Sequence, residues 1–73
     1  MTIQAQFDAD ALNQLPIVLD VIASADRKTA NEMRLYVLRK LMNHRISLDE
    51  MNNEQKINVQ KGFIEVFKFK EWL

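Results

Sequence analysis

The chain has 73 residues, with ten acidic and ten basic side chains, one histidine, one glycine, one proline and no cysteine. That size calls for one small domain spanning 1–73, whose core rarely supplies more than roughly 3–5 kcal/mol of net stability. The absence of cysteine excludes disulfides and thiolate metal sites, a lone histidine cannot build a histidine cluster, and zero net charge gives no global attraction for nucleic acid or anionic membrane.

With 48% hydrophobic and 27% charged residues the composition is that of a globular chain rather than a disordered one. No Lys or Arg precedes Arg27, so the N-terminal stretch lacks the positive region of a secretory signal, and its apolar runs are too short for a membrane span. A soluble, cytoplasmic protein is the expectation. The charge is unevenly spread: residues 1–26 carry −4, residues 27–45 carry +5 and residues 46–73 carry −1. Such a pattern suits antiparallel neighbours that attract one another, or a basic helix that faces an anionic partner.

In chain order, Asp8 or Asp10 can open a first turn through Ala9–Leu15. Pro16 lacks an N–H and clashes with the carbonyl four residues back, which predicts a kink or a restart near Leu15. From Pro16 to Ala23 only Asp20 is polar, so a helix over 16–25 should be largely buried, as a central helix of a small bundle is.

The next segment has the form of a capping box in Thr29–Glu32, followed by Met33, Val37 and Leu41 on one stripe with Leu38 and Met42 on the next. The spacing predicts an amphipathic helix over about 30–44, with Arg39, Lys40 and His44 complementing its C-terminal dipole. Arg34 falls inside the apolar arc, where it needs either a carboxylate partner or a path past the core to water.

Ser47–Glu50 is a second capping-box pattern and Asn52–Gln55 a third, which together predict a short turn at 48–52 and a longer helix over 53–68. In that helix Ile57, Val59, Phe63, Ile64, Val66 and Phe67 share half the wheel. Gly62 lies at the border, where it costs roughly 1 kcal/mol relative to Ala; close approach of another helix would explain it, and so would simple tolerance of that cost. Past Lys68 the register fails, because Phe69 and Trp72 would rotate onto the charged side. Either the chain leaves the helix and folds Phe69, Trp72 or Leu73 onto the core, or the helix continues and displays an aromatic patch. The predicted fold is all-α: a small three- to four-helix bundle with an irregular aromatic C-terminal tail.

Catalytic signatures are missing. The only glycine cannot make a phosphate-binding loop, and no nucleophile elbow or HExxH-like pattern occurs. His44 sits at a helix end beside Arg45, where capping accounts for it, and the acid pairs are first-turn residues. No catalytic, metal-binding or cofactor-binding residue is expected, and no membrane contact.

Protein recognition asks least of this composition. Phe69, Trp72 and Leu73 are the partner-binding candidates, and homodimerisation is compatible with so small a core. The alternative is a nucleic-acid-binding regulator that tracks a phosphate backbone with Arg27, Lys28, Arg39, Lys40 and Arg45. A helix-turn-helix reading fits poorly, since the helix after the turn would open on acids in Asp49–Glu54.

Overall fold

The structure, a computed structural model, describes residues 11–73. The first expected turn and its Asp8 or Asp10 cap lie outside them, except that Ala11–Asn13 are helical and Gln14 turns. Three α-helices follow: α1 (Pro16–Ser24), α2 (Arg27–Asn43) and α3 (Asn53–Phe69), with a 3-10 turn at Leu48–Glu50 between the last two. Among the described residues there is no strand, and the architecture is a small all-α bundle.

Pro16 opens α1 at its first turn, so the helix restarts after Leu15 as the sequence predicts. Leu15, Val18 and Ile22 form its buried face. The expectation that this segment is buried nearly all round is not met. Ile17 is 38% exposed, and Asp20, Ala23 and Ser24 face water. α1 is central in another sense, since it packs against both α2 and α3. Two neighbours leave one side of a helix open.

The start of α1 shows how the fold closes its polar accounts. Leu15, at the N-cap, cannot accept a hydrogen bond through its side chain, and Pro16 has no N–H to satisfy. The Leu15 N–H donates to the Leu12 carbonyl at 3.0 Å and the Leu19 N–H donates to the Leu15 carbonyl at 2.9 Å. That leaves the N–H groups of Ile17 and Val18. Both donate to Oε1 of Gln60, at 2.7 and 3.2 Å, from a side chain more than forty residues away on α3. Gln60 is 2% exposed, and its Nε2 donates to the Lys56 carbonyl at 3.2 Å. One buried amide thus replaces the local cap.

α2 begins three residues earlier than expected. Asp26 rather than Thr29 is its N-cap residue, and the Ala30 N–H donates to the Asp26 carbonyl at 2.8 Å. The Thr29–Glu32 capping box is therefore corrected, since Thr29 lies inside the first turn. Asp26 accepts no well-formed capping bond, but the Thr29 hydroxyl, followed by the Thr29 and Lys28 amides, holds its carboxyl below the usual value. Met33, Val37, Leu38 and Leu41 form the buried stripe of α2 as the spacing predicts, but Met42, expected beside Leu38, is 56% exposed in the last turn. Arg34 is half-buried and reaches outward, donating from Nη1 to Asn31 Oδ1 at 3.0 Å.

Ser47 precedes the 3-10 turn without a side-chain cap, so the second capping box does not form either. The third does. Asn52 Oδ1 accepts from the Gln55 N–H at 2.9 Å and Gln55 Oε1 accepts from the Asn52 N–H at 3.0 Å. α3 buries Gln60, Phe63 and Phe67 against Leu15, Val18, Val37 and Leu48 in a shared core. A Cβ built at Gly62 meets nothing within 4 Å, so close helix packing within the chain is not its reason.

Candidate binding surface at the C-terminal turn

α2 and α3 end in the same device. After α2, the Arg45 N–H donates to the Met42 carbonyl at 3.2 Å and the Ile46 N–H to the Leu41 carbonyl at 2.9 Å, with Arg45 at φ 51°. After α3, the Glu71 N–H donates to Lys68 at 3.0 Å and the Trp72 N–H to Phe67 at 2.9 Å, with Glu71 at φ 61°. Both are Schellman motifs, in which a left-handed residue reverses the chain and the next residue packs back on the helix. Glycine normally takes that left-handed position. Here a cation and an anion hold it, at the steric cost of a Cβ.

The second motif answers the question of the aromatic tail. α3 runs one residue past Lys68, and Phe69 ends it on the outer face, 88% exposed. The chain then reverses at Glu71 and brings Trp72 against Phe67, with ring centroids 5.7 Å apart. Leu73 remains 59% exposed. Both alternatives hold in part: Phe69 continues the helix onto the outer face, while Trp72 seals the core.

Tyr36 of α2 is the hub of this end of the bundle. Its ring meets Phe63, Phe67 and Trp72 edge to face, at centroid distances of 6.1, 6.4 and 6.1 Å. Two ammonium groups also lie over it. Lys40 and Lys70 each place Nζ 5.6 Å from the Tyr36 centroid, and Lys70 is 5.4 Å from that of Trp72. Around the pair runs an open groove of about 360 Å³, to which Glu32, Leu35, Arg39 and Asn43 also contribute. Its rim carries three cations and one acid, and Leu35 beside them is 53% exposed. Among the described residues the ion pair within 4 Å is Lys68 with Glu65, at 3.6 Å, and none of the three groove cations makes one.

The sequence candidates thus sort by position. Arg39, Lys40 and Trp72, which came from two separate sets, meet in the groove. Arg27 and Lys28 are exposed in the first turn of α2, roughly 18 Å away along a helix that rises about 1.5 Å per residue. Arg45 borders a different depression, which Leu41, Met42, Ile46 and Asp49 also line. Phe69 does not line the groove. His44 terminates α2 as a C-cap and donates its N–H to the Lys40 carbonyl at 3.1 Å.

Sequence reasoning missed Tyr36 and Lys70. A signal for Tyr36 existed in its spacing of three and four from Met33 and Lys40, on the flank of the apolar stripe. For Lys70 the helical wheel carried on past Lys68 places it on the apolar side, toward α2, whereas Trp72 had no such signal, because only the reversal at Glu71 turns it back onto the bundle. Comparison of the chain with family models, with curated proteins and with solved structures finds no match.

Proposed function

We propose that this chain is a small non-enzymatic protein-interaction module, an adaptor, inhibitor or regulatory subunit, that docks an acidic segment of a partner protein in the groove between α2 and the C-terminal turn. The observation that carries this reading is the convergence of Arg39, Lys40 and Lys70 with Tyr36, Trp72 and exposed Leu35 on one surface. Charge on the rim supplies attraction and register, and the aromatic floor supplies contact area at low entropic cost. Trp72 acts here as a wall of the groove rather than as a free anchor. It also packs on Phe67 and Tyr36, so its removal weakens the domain itself.

The nucleic-acid alternative draws on the full length of the 27–45 segment. It requires Arg27, Lys28, Arg39, Lys40 and Arg45 to act as one track, and these residues occupy three separate places on the surface. Exposed Leu35 and Met42, on one face of α2, also favour a protein partner over a phosphate backbone.

Paired charge reversals separate the two readings. Pools of acidic peptides and a short DNA duplex are titrated into the chain, with the fluorescence of its single tryptophan, Trp72, as the readout. The docking reading expects Arg39→Glu with Lys70→Glu to weaken peptide binding about tenfold or more, while Arg27→Glu with Lys28→Glu changes it less than about twofold. Equal losses from both pairs, together with tight duplex binding that collapses with salt, would favour the nucleic-acid reading. Circular dichroism confirms that both variants fold.

A further inference from the structure

We propose that the group taken up over Tyr36 is a phosphate monoester, so that the partner segment docks in its phosphorylated form. This rests on the docking reading above and adds the chemistry of the anchoring group. Lys40 comes from the last turn of α2 and Lys70 from the end of α3, and both ammonium groups are held at 5.6 Å from the centre of one ring. An aromatic ring orders a lysine without neutralising it, because the attraction comes from the quadrupole and not from a formal charge. Arg39 adds a third positive charge on the same rim, and Glu32 is the one acid among the groove residues. Three like charges that line one groove repel one another in the free protein, and a bound anion relieves that repulsion.

The number of negative charges needed selects the anion. A phosphate monoester carries about −1.5 to −2 at neutral pH and offers three strong acceptor oxygens, enough for two ammonium groups and a guanidinium together. One carboxylate carries half that charge, and each phosphodiester of a nucleic-acid backbone carries one. The lysines also occupy the approach to the Tyr36 ring, where a nucleobase would otherwise stack. A phosphorylated serine or threonine side chain places its dianion at the end of a short stem, with flanking residues free to lie along Leu35 and Trp72.

The test uses three degenerate peptide pools, alike except for a fixed central phosphoserine, serine or glutamate, titrated into the full chain and followed by Trp72 fluorescence. The expected result is binding of the phosphoserine pool at least about tenfold tighter than the serine pool and several-fold tighter than the glutamate pool. Lys40→Gln with Lys70→Gln should abolish that advantage, since the substitutions remove both ammonium groups and leave the Schellman backbone intact. If glutamate and phosphoserine pools bind alike, phosphate recognition is wrong and acidic docking stands. A phosphoserine advantage that persists in the double variant would place the anion elsewhere and overturn the assignment. If no pool binds, the docking reading itself falls.

Discussion

Replacing Gln60 by Met tests whether a side chain on α3 really holds the first turn of α1 in place. Met keeps the length and much of the shape of Gln but provides no oxygen, so the N–H groups of Ile17 and Val18 lose their shared acceptor. Val18 is fully buried, and leaving its N–H unpaired costs about 1–3 kcal/mol. Ile17 is partly exposed, so water can reach its N–H and the loss there falls near the lower end of that range. A thioether buries more favourably than an amide, which offsets part of the penalty, and a net destabilisation of about 2–3 kcal/mol remains. For a domain of roughly 3–5 kcal/mol that is half or more of the total. Urea denaturation followed by Trp72 fluorescence and by circular dichroism would measure it, with hydrogen exchange at Ile17 and Val18 as the local readout. A loss below about 0.5 kcal/mol with both amides still protected would refute the cross-helix cap.

Three further outcomes follow from the same geometry. Gly62→Ala should raise stability by about 1 kcal/mol, because a Cβ there meets nothing and the helix interior no longer bears the entropy of glycine; an unchanged melting temperature would contradict this. Glu71→Gly and Arg45→Gly should each stabilise by about 0.5–1 kcal/mol by relieving a left-handed side chain, which thermal melts can detect as a shift of several degrees, and destabilisation by either would mean that the side chain makes a contact worth more than the strain. Asp26 has a carboxyl pKa below its unfolded value, so the stability it contributes is present above about pH 4 and is lost as pH falls through the lower folded pKa. Asp26→Ala should therefore flatten the acid limb of the stability profile, and an unaltered limb would remove that role.

The helices themselves were legible because their signals are local. Periodic apolar residues at Met33, Val37 and Leu41 and at Phe63 and Phe67 locate the buried stripes of α2 and α3. Asn52 and Gln55 lie three residues apart and satisfy one another without outside help. The capping pattern at Thr29–Glu32 misled because Asp26, an equally good cap, stands three residues upstream, and the earlier start adds backbone hydrogen bonds to the helix. Trp72 resisted a sequence reading because the turn that redirects it uses Glu71 in a conformation that usually marks glycine. The fold-back of a C-terminal aromatic was among the alternatives, but its residue was not singled out.

Fold class, helix order and the apolar stripes are determined by the sequence alone, since they depend on propensity and on contacts between residues three or four apart. The tertiary structure decided what depends on distant neighbours. Gln60 reads as an ordinary polar residue three before Phe63 until α1 is laid against it, when it becomes the cap that Leu15 cannot be. Likewise Arg39 and Lys40 on α2 and Lys70 at the end of α3 belong to separate segments until the helices pack, and the reversal at Glu71 then adds Trp72 beside Tyr36. Charge and aromatic character are written in the sequence, but their convergence is a property of how the helices pack.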